Sequence, residues 1–350
     1  MNDALKNYDI HICMEWELSE LQKFIKDHWK KDHVLVTGRK LIDWQHLDKE
    51  NKSYNFAIAK CNQTNQIHGI LGFIPTSHFD KSIKEVDIWL AVWKVKDGIK
   101  VTGLGMVLLQ FLKDTYKPRS ISGYGFNKPI IPILKFCGHK IRELNHYYIV
   151  NDLKKNFGLI KTFDGRYHSS EFILDDDKKF IKYDKTHFLN LGKKIPDFLP
   201  DTGIPTKTFT YYINRYFEHP IYKYHIYGIV KRDEILAFVV FRIVSYRSNS
   251  ALRMVDYFGY TYGINGTIKE FQKLLYNYDA EYVDFYNLGF TIQSLTNSGF
   301  IKRDSSNNVI IPNYFEPFER TNITLRLGYK CDKNYNYFVC KGDGDQDRPS

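Results

Sequence analysis

Apolar positions along this chain alternate between two spacings, and the alternation repeats. Residues 15–31, EWELSELQKFIKDHWKK, set Trp16, Leu18, Leu21, Phe24 and Ile25 at helical intervals and predict an amphipathic helix. From residue 55, NFAIAKCNQTNQIHGILGFIPTS is two apolar runs around an Asn/Gln/Thr-rich loop, which predicts a hairpin over about 55–74. EVDIWLAVWKV reads as a third strand. After two close glycines, Leu104, Leu108, Phe111 and Leu112 mark a helix, SISGYGF a strand, and a second helix stops at Gly138. ELNHYYIV reads as the strand that closes this unit.

Beyond a mixed, Lys/Asp-rich stretch the same order returns. IYKYHIYGIVKRDEILAFVVFRIVSY is a hairpin turned at KRDE, LRMVDYFGY a strand, TIKEFQKLLYN a helix, AEYVDFYNLGF a strand, and IQSLTNSGF a helix stopped by glycine. Two passes through hairpin, strand, helix, strand, helix imply duplication of one α/β (α+β) unit. The expected organisation is a first domain over 1–150, a connecting arm over 151–207 and a second domain over 208–350. The copies differ at one place. The first has KVTGLG ahead of its helix, whereas the second has YTYGING.

Composition changes this picture little. The chain has 350 residues, 43% of them hydrophobic and 16% aromatic, enough for two folded domains. A net charge of +10 fits nucleic acid, a membrane surface or a polyanionic small molecule, but the basic residues come as scattered pairs such as Lys30 and Lys31 rather than one stripe, so no nucleic-acid partner is expected. Five cysteines without a CxxC, and no run of about 18 apolar residues, lead us to expect a soluble, reduced, cytoplasmic protein with no membrane or metal partner. Nothing in the pattern fixes the oligomeric state, a homodimer included.

The glycine turn carries the candidate chemistry. A helix start leaves backbone N–H groups unpaired and partly positive, and glycines in front of it let a phosphate approach. A P-loop would need GxxxxGK[ST], which is absent, and a dinucleotide fingerprint would need glycine where Leu108 stands. The fuller pattern, Lys100, Val101, Thr102, Gly103, Leu104, Gly105, resembles the [Q/R]xxGx[G/A] motif of the GCN5-related N-acetyltransferase superfamily, with Lys at the first position. That resemblance implies two tandem domains of this type, each a mixed, mostly antiparallel sheet flanked by helices. It also implies acyl-coenzyme A as cosubstrate, with Leu90, Ala91, Val92 and Trp93 along the pantetheine arm, Lys100 to Gly105 on the pyrophosphate, and Asn127 on the pantetheine. One departure stands out: Leu134 occupies the place where many members have a Tyr that protonates the leaving thiolate.

As a whole the chain resembles a narrower group, the tandem-domain bacterial sugar N-acyltransferases, through IWLAVWKV, ELNHYYIV, AEYVDFYN, PNYFEPF and KGDGDQDRPS. The implied reaction moves an acetyl or 3-hydroxybutanoyl group to the amine of a dTDP-linked amino-dideoxy sugar, for O-antigen or capsular polysaccharide. Two other readings stay open at this point: an aminoacyl-tRNA dependent peptidyltransferase of the same tandem fold, and a non-catalytic binding protein.

Acyl transfer to an amine needs a neutral amine, a held thioester and oxyanion donors. Backbone N–H groups near Val92 and Trp93 are the expected donors. Candidate bases are Asp87, at the start of the coenzyme strand, and His146 in LNHYY, with His46, His68 and His78 behind them. In the second copy, Asp256, Asp284, Tyr286 and Asn287, then Asn313, Tyr314, Glu316 and Arg348, are the candidate nucleotide-sugar contacts, because rings stack on bases and polar groups bind hydroxyls or phosphate. The tail GDGDQDRPS has aspartates two apart, as a calcium loop does, but lacks the later glycine and glutamate and reads as a solvated acidic terminus.

Overall fold

The alternating runs build two mixed sheets, and the strands do not stay in the half of the chain that encodes them. The computed structural model describes residues 6–99, 101–126, 128–161, 172–195, 203–304, 308–331 and 335–349. The first half supplies β1 (Tyr8–Met14), α1 (Leu18–His28), α2 (Arg39–His46), β2 (Ser53–Cys61), β3 (Ile67–Pro75), β4 (Asp87–Val95), α3 (Leu104–Tyr116), β5 (Ser120–Tyr124), α4 (Ile131–Phe136), β6 (Lys140–Glu143) and β7 (Asn145–Val150). The second supplies β8 (Lys178–Tyr183), α5 (Lys185–Lys194), β9 (Tyr224–Lys231), β10 (Glu234–Tyr246), β11 (Asn249–Gly259), α6 (Ile268–Asn277), β12 (Ala280–Leu288), β13 (Ile301–Lys302), β14 (Arg326–Cys331) and β15 (Val339–Cys340).

The first sheet runs β1-β2-β3-β4-β5-β14-β6, with the two-residue strand Leu47–Asp48 added to β2. The second runs β13-β7-β12-β11-β10-β9-β8, with β15 on β12. Strand β7, expected to close the first unit, instead lies antiparallel to β12, with Tyr147 opposite Phe285. Strand β14 returns the exchange, entering the first sheet between β5 and β6. The stretch 151–207, expected as a connection, contributes β8 to the edge of the second sheet. Each sheet has one parallel pair, β4 with β5 and β11 with β12, as two similar α/β units require.

Helix α3 covers one face of the first sheet through buried Leu104, Leu108, Leu109 and Leu112, each contributing about 1.5–3 kcal/mol by burial, and this fixes where the helix begins. Helix α6 does the same for the second sheet through Phe271, Leu274 and Leu275. Between the sheets lies a shared aromatic layer that joins Trp89, Tyr124 and Leu327 to Tyr212, Phe238, Val255 and Tyr286. Among the described residues no helix is long and apolar enough to cross a membrane.

Candidate active site

Strand β4 is paired with β5 only from Asp87–Ser120 to Leu90–Gly123; past that point the two parallel strands part. On its other side the register with β3 shifts. Trp93 faces Leu71 and Leu90 faces Phe73, so Ala91 and Val92 together oppose the single residue Gly72. That is a β-bulge, which bends the strand and turns its backbone groups out of the ladder. Opposite the parting, α3 starts at Leu104 behind Gly103 (φ +94°), with no side chain capping its first N–H groups. A side chain built on Gly103 would meet no atom within 4 Å, so the turn faces open space.

The wedge opens into a cavity of about 1190 Å³. Its first-domain wall is Ala91, Val92, Trp93, Thr102, Gly103, Gly105 and Met106, with Tyr124, Phe126 and residues of α4 beside them. The far wall belongs to the second domain and the C-terminal segment: Tyr222, Arg242, Arg253, Asn313–Glu316, Lys341 and Asp345–Pro349.

The C-terminal segment is therefore no solvated tail. Asp343 and Asp347 are buried. Cys340 and Val339 pair with Asn287 and Leu288, and the Gly342 N–H donates to the Val255 carbonyl at 2.7 Å. Arg215 Nη2 donates to the carbonyls of Gly342 (2.8 Å) and Gly344 (2.7 Å), and Tyr124 donates to the Cys340 carbonyl at 2.8 Å. Asp347 accepts from Arg242 and Tyr224, each at 2.8 Å, and the Arg242 guanidinium holds its carboxyl down at about 2 despite burial. Asp343 lies beside Asp256 and Lys207, and burial pushes its carboxyl up to about 6.

Arg242 stacks 3.8 Å from the centre of the Tyr222 ring. Arg253, 2% exposed, donates Nε to Asp284 (3.1 Å), Nη1 to the Asn313 carbonyl (2.7 Å) and Nη2 to the Pro312 carbonyl (3.0 Å). That carries the 312–316 loop to the cavity. Lys341 donates Nζ to Asn313 Oδ1 and sits 5.5 Å from the Tyr286 ring centre. His33 turns Nδ1 to the Leu35 N–H at 3.3 Å, and burial lowers its pKa to about 4.

Of the residues expected from sequence, Ala91, Val92, Trp93, Thr102, Gly103 and Gly105 meet on one wall, and Asn313, Tyr314, Glu316 and Arg348 on the other. Leu90 and Leu104 are core residues under the wedge, and Val101 packs beside them. Lys100 and Asn127 lie outside the described residues. Leu134 is fully buried.

The two candidate bases are not brought to the cavity. Asp87 is buried and accepts from Arg119 Nε (3.0 Å), Ser120 Oγ (2.7 Å) and the Thr206 N–H (3.0 Å), which uses its lone pairs in holding β4 to β5. His146 follows β7 into the second sheet, stacks on Tyr286 at 3.8 Å and bonds Asp284 Oδ2 at 3.1 Å, while burial lowers its pKa to about 4. His46, His68 and His78 also lie away from the lining. Asp256, Asp284, Tyr286 and Asn287 sit behind the wall: Asp256 is held by Lys207 (2.7 Å) and Tyr216 (2.6 Å), and Asp284 by Arg253. Sequence reasoning passed over Arg242, Arg253 and Lys341. An arginine inside each of the apolar runs AFVVFRIV and LRMVDYF was the available signal, since such a charge is retained only with dedicated partners.

No family model matches the sequence, and neither does any curated protein. Solved structures do resemble this fold. A GCN5-related N-acetyltransferase from Anabaena variabilis ATCC 29413 is 10% identical and superposes over 91% of this chain and 72% of its own, with a TM-score of 0.52. A protein of Enterococcus faecalis V583, described as a probable N-acyltransferase, is 8% identical over 93% of this chain and 72% of its own, with a TM-score of 0.54. At such identities the likeness concerns architecture, and the chain has the fold of two tandem GCN5-related N-acetyltransferase-type domains.

Proposed function

We propose that this protein is an acyl-coenzyme A dependent N-acyltransferase whose acceptor is an amino sugar carried on a nucleotide, in surface-polysaccharide synthesis. The observation that carries the reading is the bulged strand β4 leaving β5 opposite an uncapped glycine helix start, with the opening continuous with a deep cavity. A strand edge freed from its ladder offers backbone groups to an amide-bearing arm, and a bare helix start suits a pyrophosphate. The bulge at Ala91 and Val92 takes backbone groups out of the ladder, and freed N–H groups are the donors that the oxyanion of a direct attack of an amine on a thioester needs. A volume of about 1190 Å³ exceeds the usual ligand pocket of roughly 300–1,000 Å³ and suits two substrates meeting end to end.

The opposite wall supports the acceptor class. Tyr314 offers a ring, Asn313 and Glu316 hydrogen bonds, and Arg242 and Arg348 N–H donors for a diphosphate. The deciding experiment is thiol release from acetyl- and 3-hydroxybutanoyl-coenzyme A with dTDP- and UDP-linked amino sugars. Turnover with one of these pairs is expected, and a chain that neither binds coenzyme nor releases thiol would sink the reading.

A further inference from the structure

An amine acceptor arrives as an ammonium and must lose a proton before it attacks. Asp87 and His146 lie outside the cavity, so the acceptor of that proton is sought among the groups on its wall. The carboxylates on the wall each already have a donor. Asp347 accepts from Arg242 and Tyr224, Asp345 from Arg348 at 2.9 Å, and exposed Glu316 from Tyr222 at 3.2 Å. His33 has spent its accepting nitrogen on a backbone N–H. Tyr124 donates to the Cys340 carbonyl and is pushed well above its ordinary range by burial, as is Tyr222.

Lys341 differs from all of these. It is 3% exposed, and among the described residues it has one hydrogen-bond partner, the neutral amide oxygen of Asn313, and no carboxylate within ion-pairing reach. The charged groups around it come from three directions: Arg242 on β10 and Arg253 on β11, Asp284 on β12, and Asp347 in its own segment. Both aspartates are already paired with those arginines. Burial and then Arg253 lower the Lys341 amine from the usual lysine range. A lysine on the cavity wall with a neutral partner and no ion pair gives up its proton more readily than a free one, and can then take one from a substrate.

We propose that Lys341 is the proton acceptor for the attacking amine; this rests on the acyltransferase reading above. Lys341 Nζ takes one proton from the substrate ammonium, and the freed nitrogen bonds to the thioester carbonyl carbon. The tetrahedral adduct then loses its second N–H proton to solvent as the C–S bond breaks. The coenzyme thiolate leaves with the electron pair and takes the proton back from Lys341, so the side chain ends neutral and one proton is released overall. No outside oxidant or co-reactant enters.

Three proteins test this: wild type, Lys341→Met and Lys341→Arg, with acyl transfer followed from about pH 6 to 10 and coenzyme affinity measured for each. Arginine keeps the cation and the reach to Asn313 but cannot give up its proton. Both variants should keep coenzyme affinity within about threefold, lose about 100-fold or more in kcat, and recover activity as pH rises and the acceptor deprotonates in solution. A Lys341→Arg protein within about threefold of wild-type kcat would make Lys341 a fixed cation and overturn the proposal. If neither variant folds, protein that keeps Lys341 and is labelled with ¹³C at lysine Cε decides. Lys178, whose amine is also lowered by burial, is removed from that sample by Lys178→Arg, so one resonance should titrate well below the rest, and none doing so overturns the assignment. Absence of coenzyme binding by the wild type is a different outcome and removes the acyltransferase reading itself.

Discussion

The two parallel strand pairs of this molecule start alike and end differently. In the first domain β4 and β5 part after Leu90 and Gly123, and the wedge stays open below an uncapped helix start. In the second, the β11–β12 ladder reaches Met254 and Phe285, and the wedge beyond is filled by the chain itself. Val339 and Cys340 add to β12, and Gly342 bonds Val255. The matching helix start is closed as well. A side chain on Gly266 (φ +76°) would lie 2.7 Å from Asp175 Cβ, and an aspartate there repels phosphate. One architecture thus yields a binding cleft or a solid wall according to what occupies the wedge. The segment that fills the second wedge also walls the first domain's cavity, so closing one site completes the other.

The largest test of this contrast removes the filler. A chain ending after Phe338 strips β12 of a paired strand, takes from Arg215 its carbonyl acceptors and breaks the buried Arg242–Asp347 pair, the last alone at about 3–5 kcal/mol against a total stability of about 5–15 kcal/mol for a domain. Urea unfolding should show loss of the cooperative transition; wild-type stability would mean that the second wedge does not need its strand.

Acid should act on both halves. His33, His139, His146 and His225 are lowered to about 4, and His46 and His219 to about 3, all chiefly by burial. The unfolded chain takes up these protons from about pH 6.5 downward while the folded protein resists, so stability is full above pH 6.5 and is lost as pH falls toward 4. Asp343, raised to about 6, opposes this over the range between about 4 and 6, as one group against six. Melting temperature measured across this range should fall steadily, and a flat profile would contradict the burial of these rings.

A paired substitution separates the wedges more finely. Gly103→Val puts a side chain into open space at a left-handed position, straining the turn by about 1–2 kcal/mol, and should weaken coenzyme binding about tenfold or more by calorimetry. Gly266→Val should leave coenzyme affinity alone and lower stability instead, since its side chain would collide with Asp175. The reverse pattern would exchange the roles of the two wedges. The smallest effect is expected from Asp175→Asn. It removes a surface pair with Lys231 and a longer 3.9 Å pair with Lys178, together about 1 kcal/mol, and coenzyme stoichiometry should stay at one per chain because the filling strand remains.

Much of this contrast was legible in the sequence. The order of strands and helices and the contrast between KVTGLG and YTYGING are local matters of spacing and residue type. The exchange of β7 and β14 was not legible. NHYYIV is a nearly continuous apolar run that suits the interior of either sheet, and periodicity reports which face is buried but not which edge receives the strand. Asp87 and His146 were reasonable bases by residue type, yet both were placed by partners that no spacing announces: Arg119 and Thr206 for one, Asp284 and Arg303 for the other.

The sequence by itself determined the duplicated α/β order and the one glycine turn fit to face a phosphate, because helix, strand and turn preferences act over a few residues. The tertiary structure decided where the tail runs, which wedge stays open and what surrounds Lys341. Those depend on contacts such as Tyr124 with Cys340 and Arg242 with Asp347, between residues 216 and 105 positions apart, where burial and charge pairing rather than local preference set the outcome.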